Sequence, residues 1–198
     1  MIIDFTNLDK LYRYKIMSEA IAPRPIAWIS TLNDDSSINL APFSYFIPIS
    51  SEPPLVSVSI GIKKSGESKD TLKNIRENKK CAISIPDISH AKEVSQSSDA
   101  LGYGISETST YNIEIVSKKE GFPPIYKKAK AALFCTLFDD IRIEGSVNSL
   151  LLLKIESVYT DDNYIDNEGK VVFEQLGRTG RDYIYAYEKI SQEKTLQK

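Results

Sequence analysis

Residues 23–60 read PRPIAWISTLNDDSSINLAPFSYFIPISSEPPLVSVSI. Two apolar runs, Ile26 to Leu32 and Ile38 to Ile47, flank the cluster Asn33-Asp34-Asp35-Ser36-Ser37, so the stretch predicts a β-hairpin. Pro42 interrupts the second run. It has no N–H to give a ladder, which places it on an edge, at a bulge or at a kink. A break there re-aims neighbouring side chains and opens main-chain groups between Asn39 and Ser44 to a ligand. An edge strand that happens to carry a proline accounts for the same feature with no ligand at all.

On the C-terminal side, Leu55 to Ile60 alternates with period two, putting Val56, Val58 and Ile60 on one face and Ser57 and Ser59 on the other. Small hydroxyls beside a helix start suit an anionic group, although half-exposed serines need no ligand to explain them. The following loop, Gly61 to Ser68, has the glycine spacing of a P-loop, but Glu67 occupies the lysine position and would repel the β- and γ-phosphates. Nucleoside triphosphate hydrolysis is excluded on that ground. The predicted helix opening at Ser68-Lys69-Asp70-Thr71 is an anion site of the general kind, with free N–H groups, the charge of Lys69 and the hydroxyl of Thr71. Asp70 is read as its cap or as a partner of the loop backbone.

On the N-terminal side, Arg24 stands between Pro23 and Pro25, which preset the direction of its side chain. A guanidinium so held suits a carbonyl-rich ring or a phosphate, and equally a surface ion pair. The segment up to Ala22 carries Leu8, Leu11, Tyr12 and Ile16 near helical spacing with little capping support, and is read as a short helix or turn lying on the core.

Composition bounds the function. A chain of 198 residues with net charge −2 is expected to form one domain, and its field argues against nucleic acid as the main partner. The start lacks the apolar core of a secretory signal, and the longest aliphatic block, Leu150 to Leu153, is far too short to span a bilayer. No membrane association is expected. Cys81 and Cys135 lie far apart in apolar runs and read as reduced thiols, pointing to a cytoplasmic protein. With a single histidine, His90, a metal site has almost nothing to be built from, and His90 itself is read as solvated in preference to a proton donor.

Further along, Gly102-Tyr103-Gly104 lacks the third glycine of a dinucleotide fingerprint, since Glu107 stands there. Residues 108–130 form a polar and aromatic excursion. Ala131 to Phe138, Ile141 to Glu144 and Val147 to Tyr159 read as strands with turns at Asp139-Asp140 and Gly145-Ser146; the aliphatic block in the last suggests burial on both faces. Another turn is read at Asp166 to Gly169, and Tyr183, Tyr185 and Tyr187 are read as one face of a final strand, suited to an interface. Many short strands separated by turn clusters support a barrel or sandwich.

Four pieces in order, PRPIAWIST, INLAPFSYF, SSEPPLVSVSI and SKDTLKNIREN, together with the later Leu176-Gly177-Arg178 segment, resemble the flavin reductase-like family of FMN-binding split-barrel proteins, of the flavoredoxin type. The resemblance implies a mainly β, antiparallel Greek-key split barrel with short peripheral helices. It implies FMN as cofactor, with the broken strand along the flavin ring and the helix start at its phosphate. The positions so implied are Arg24, Thr31, Asn39, Leu40, Ala41, Pro42, Phe43, Ser44, Ser59, Lys69, Asp70, Thr71 and Arg178. Residues 108–130 would cover or gate the substrate side. A homodimer sharing each site is implied, with NADH or NADPH as transient electron donor and a free flavin, a metal complex or a redox partner protein as acceptor. An electron carrier that does not use NAD(P)H directly, or a barrel that binds another ligand or only a partner, carries the same motifs.

Overall fold

A computed structural model of the chain describes residues 1–185. Its strands in chain order are β1 (Arg24–Pro25), β2 (Ala27–Leu32), β3 (Ile38–Phe43), β4 (Phe46–Ser51), β5 (Pro54–Ile60), β6 (Lys80–Ser84), β7 (Ile115–Val116), β8 (Ile125–Tyr126), β9 (Ala131–Arg142), β10 (Ser149–Thr160), β11 (Gly177–Thr179) and β12 (Asp182–Ile184). The helices are α1 (Lys10–Ala20), α2 (Asp70–Asn78), α3 (Ala91–Gln96) and α4 (Glu107–Thr110). Seven strands form one antiparallel sheet in the order β3-β2-β6-β9-β10-β5-β4, and β1-β11-β12 form a second.

The hairpin of β2 and β3 pairs without a register shift from Leu32 opposite Ile38 to Ala27 opposite Phe43. Pro42 therefore sits in an edge strand with no bulge. Outward-facing residues alternate with paired ones in an antiparallel edge, and Ile38, Leu40 and Pro42 share the outward set, so the missing N–H removes no ladder bond. The break in the second apolar run comes two residues later, at Ser44 and Tyr45. Beyond it the chain enters β4, at the opposite edge of the sheet. The step from Phe43 to Phe46 reaches about 11 Å at most, whereas six strand spacings laid flat would need about 29 Å. The sheet must therefore curl until its edges approach, and the fold is a split barrel.

Alternation sorts the apolar residues into two clusters. Ala27, Ile29, Val58, Ile83, Cys135 and Leu151 fill the barrel with Leu72 and Ile75 of α2, while Ile26, Trp28, Ala82 and Phe134 pack outside it with Ile113, Ile125 and Tyr126. Cys81 pairs directly opposite Cys135 across β6 and β9, both as buried free thiols.

Several elements depart from the sequence reading. Asp139-Asp140 is no turn: β9 runs through it, with a register shift on the paired strand β10 between Leu152 and Leu153, and Arg76 Nε donates to Asp140 at 2.7 Å. That ion pair on a β-bulge lets two acids remain in a strand. His90 is buried, not solvated; its Nδ1 accepts from the Asp87 N–H at 3.2 Å in a capping box. Burial lowers its pKa despite the neighbouring Asp87 carboxylate, so it is neutral at pH 7. The helix α1 does have a cap, since Asp9 accepts from the Tyr12 N–H at 2.9 Å. Among its residues only Ser18 is buried. In the last strand Tyr183 is half-buried and Tyr185, beyond its end, is exposed, while Tyr187 lies outside the described residues.

Candidate functional site

The hairpin and α2 meet through a buried polar network. Asn39 Nδ2 donates to Thr31 Oγ1 at 3.1 Å and to Thr71 Oγ1 at 2.8 Å. Asn74 Nδ2 donates to the same Thr31 oxygen at 3.0 Å and to Asn33 Oδ1 at 2.8 Å. All five side chains are buried. A network of this kind fixes direction as well as distance, because each amide has one place to put its hydrogens. It holds the N-terminus of α2 against the start of β3.

A cleft of about 550 Å³ opens where these elements meet, a size in the ordinary range for small ligands. Its floor includes Asn39, Ala41, Pro42 and Phe43 of β3, and one end is formed by Lys69, Asp70 and Thr71. The N-cap position of α2 is Lys69, extended at φ −64° and ψ 149°, with no side chain capping the helix. The first helical bond runs from Lys73 N–H to the Lys69 carbonyl, which leaves the N–H groups of Asp70, Thr71 and Leu72 without a partner among the described residues. The Lys69 ammonium has no carboxylate partner there either; it lies 5.3 Å from the centroid of the Phe43 ring, and loss of hydration lowers its pKa. Unpaired N–H groups, a helix dipole and a lysine with no carboxylate partner converge on one end of the cleft, a combination that favours an anion.

Asp70 is the first helical residue and does not cap. Its carboxylate pairs with Lys63 and accepts weakly from the Gly104 N–H at 3.4 Å, so it ties two loops to the helix start. Glu67, in the failed P-loop, is exposed and accepts from the Ser65 hydroxyl at 3.0 Å.

The remaining positions singled out in the sequence lie elsewhere. Arg24 is buried outside this cleft, neither against it nor in a surface ion pair. Its guanidinium donates to the carbonyls of Ser18, Ile21 and Gly180, the last two at 3.1 Å, and Nε approaches the Ser44 hydroxyl at 3.4 Å. It brackets α1 to the β11–β12 turn. Arg178 lies in the second sheet, 4.6 Å from the centroid of the Tyr183 ring. The Ser59 hydroxyl accepts from Asn148 Nδ2 at 3.2 Å. Leu40 is buried in the outer core and is not among the residues that line the cleft.

The far wall of the cleft is built by residues of 97–101 with Glu107, and none of 108–130 lines it. Residues 108–130 instead pack Ile113, Ile125, Tyr126 and Ala129 into the outer core. Glu107 is the residue that the sequence reading missed. Ser106 caps α4 and Glu107 follows in its first turn, which is a helix-start signature; the glycines nearby drew attention to a dinucleotide motif that was absent. Asn74 gave no comparable signal, since an asparagine inside a helix does not announce a tertiary bond.

A family model described as Flavin reductase like domain matches residues 17–180. Among curated relatives, the uncharacterized protein YwrF of Bacillus subtilis (strain 168) is 29% identical over 188 residues, covering 92% of this chain and 91% of its own. Among solved structures, nitrilotriacetate monooxygenase component B from Bacillus cereus superposes with a TM-score of 0.90 at 24% identity, over 96% of this chain and 98% of that one. Flavoredoxin of Desulfovibrio vulgaris (Miyazaki F) superposes with a TM-score of 0.76 at 16% identity, over the full length of both chains. At these identities the likeness to the solved structures establishes the fold. Among the described residues no helix is long and apolar enough to cross a membrane.

Proposed function

The chain belongs to the flavin reductase like domain family, and from that premise we propose that it binds FMN in the cleft and works as an oxidoreductase, passing electrons from NADH or NADPH through the flavin to an acceptor. The observation that carries this reading is the uncapped start of α2 with Lys69 beside it, an anion site at one end of a cleft whose floor is an edge strand. A terminal phosphate fits the first feature. A flat ring with polar edges fits the second.

In this reading the N–H groups of Asp70, Thr71 and Leu72 and the Lys69 ammonium hold the phosphate, while Asn39 keeps Thr71 and the helix start in place. The outward carbonyls of Leu40 and Pro42 accept from the ring's imide N–H, and Phe43 covers one side. Arg24, Ser44, Ser59 and Arg178 support the scaffold at a distance or serve a second subunit. Bound flavin supplies the one- and two-electron chemistry, so the chain itself needs neither a nucleophile nor a metal.

A homodimer completes the proposal. The exposed Leu11, Tyr12, Tyr14 and Met17 of α1, with Tyr14 stacked on Tyr45 at 6.4 Å next to the exposed Ile47 and Ile49 of β4, form an apolar surface of the kind a second copy covers. The visible spectrum of the purified protein, followed by identification of any released chromophore, tests the cofactor. Stopped-flow reduction of the bound flavin by NADH and by NADPH tests the donor. A flavoredoxin shares this fold, and a bound flavin that neither nucleotide reduces would assign the chain to the electron-carrier reading.

A further inference from the structure

Residues 97–107 hang between two buried anchors. At one end the Trp28 indole N–H donates to Ser97 Oγ at 2.9 Å. At the other, the Ser106 hydroxyl donates to the Ile38 carbonyl at 2.6 Å and Glu107 Oε2 accepts from the Leu40 N–H at 2.9 Å. Ile38 and Leu40 face outward from β3, so the start of α4 caps the free edge as another strand would. Between the anchors, residues 98–105 are mostly exposed. Glu107 is 6% exposed, and it lines the cleft beside Asn39 and Ala41.

A glutamine would also accept from the Leu40 N–H, in a weaker bond, and carry no charge into a buried wall. The carboxylate, favoured in the first turn of α4, is also a buried charge on the wall of the cleft. The groups facing it are unequal. Burial raises its pKa, the Leu40 N–H lowers it, Asp70 of α2 raises it and Lys63 of the loop lowers it. Tyr111, after α4, faces it as a neutral phenol whose own pKa is raised, and Lys69 lines the same cleft. A buried carboxylate on the wall of a cleft is one whose protonation responds to a new charge placed there.

We propose that Glu107 is a positioning residue that takes up a proton when the cleft comes to hold a reduced, anionic flavin. The inference rests on the flavin reading given above. A hydride from NADH or NADPH delivers two electrons and one proton to the ring and leaves the oxidised nicotinamide. A second proton passes from solvent to Glu107 and converts its carboxylate to the neutral acid. The Leu40 N–H stays bonded to the carboxyl oxygen throughout, so the edge strand keeps its place while the charge added to the cleft is offset.

The test is proton uptake during reduction of the FMN-loaded full chain in weakly buffered solution, with dithionite or a potentiometric mediator as reductant. Between pH 7 and 8 the wild type is expected to take up about one more proton per two electrons than Glu107→Gln. A second measurement uses the wild type alone: the Glu107 carboxyl carbon, followed by NMR, should titrate at higher pH when the flavin is reduced than when it is oxidised. Equal uptake by wild type and Glu107→Gln, or a carboxyl titration indifferent to the redox state, overturns the inference while leaving flavin binding intact. Failure of wild type and variant alike to retain FMN overturns the flavin reading, and this inference with it.

Discussion

Arg24 and Lys69 are both cations that the sequence offers as ligands for an anion, and the structure puts them in opposite conditions. Four of the five N–H donors of the Arg24 guanidinium are taken up by three backbone carbonyls and a hydroxyl. Lys69 has no acceptor among the described residues and lines a cleft beside uncapped helix N–H groups. A saturated cation holds a fold together. An unsaturated one waits for a ligand. The difference comes from context that lies far away in sequence, since Gly180 supplies one of the carbonyls that quench Arg24.

The largest expected effect is on stability. Arg24→Ala removes the donor from three carbonyls and frees α1 from the β11–β12 turn, at a cost of roughly 3 kcal/mol, or about 6–12 °C in Tm. Thermal melting measures it, and the fraction that remains folded should bind FMN as the wild type does. A variant that melts normally but loses FMN would invert the comparison and place Arg24 in the site.

Lys69→Ala should do the reverse, leaving Tm unchanged and weakening FMN by roughly 1–3 kcal/mol, about 5- to 150-fold. Added salt should weaken the wild type more than the variant. Lysine is charged below its pKa, and that of Lys69 lies below the ordinary value, so wild-type affinity should fall on the alkaline side earlier than a solvated lysine would dictate, and the variant should lose that dependence. Thr71→Val sharpens the distinction by leaving the Asn39 amide without its 2.8 Å acceptor, and is expected to lower both Tm and affinity. Unchanged affinity in Lys69→Ala, measured by titration of apo-protein, would remove the helix start from the site.

Pro42→Ala should matter less than its position in the middle of the apolar run suggests. The strand keeps its register through Pro42, and the restored N–H points away from β2, so stability should move by less than about 1 kcal/mol. The new donor faces the cleft edge, and a small shift in the bound flavin's visible spectrum is the expected sign of it. A large fall in Tm would show that the proline bends the strand after all.

The barrel was legible because its signals are local and repeated. Alternation in Leu55 to Ile60, the turn cluster at Asn33 to Ser37 and the apolar spacing of Leu72 and Ile75 each specify an element before any tertiary contact is known. The helix start at one end of the cleft was legible for the same reason, since it is a local feature. The far wall was not, because Glu107 acts on Leu40 across a separation of 67 positions and its carboxylate could as well have faced water. His90 was misread on the same ground: its burial depends on Trp28 and Tyr126, with ring centroids 6.5 and 4.8 Å away, and neither is near it in the chain. At Asp139-Asp140 the local signal pointed the wrong way, and Arg76 on a helix supplied the charge that kept a strand there.

The smallest expected effect belongs to Glu67→Lys, which completes the P-loop pattern in letters. A phosphate cradle needs successive N–H groups turned inward, and this loop spends them on itself: Lys63 N–H donates to the Glu67 carbonyl at 2.8 Å and Gly66 N–H to the Lys63 carbonyl at 3.0 Å. Gly66, at φ +90°, makes that tight turn in a conformation that side chains rarely adopt. A lysine at position 67 would therefore add one exposed charge to the neighbourhood of α2 and build no cradle. FMN affinity should stay within about two-fold, rising slightly at low salt through the added positive charge, and no ATP hydrolysis should appear. A loss of about ten-fold or more would mean that the Ser65–Glu67 bond positions residues 61–68 for the ligand, and the anion site would then extend from the uncapped helix start into the loop before it.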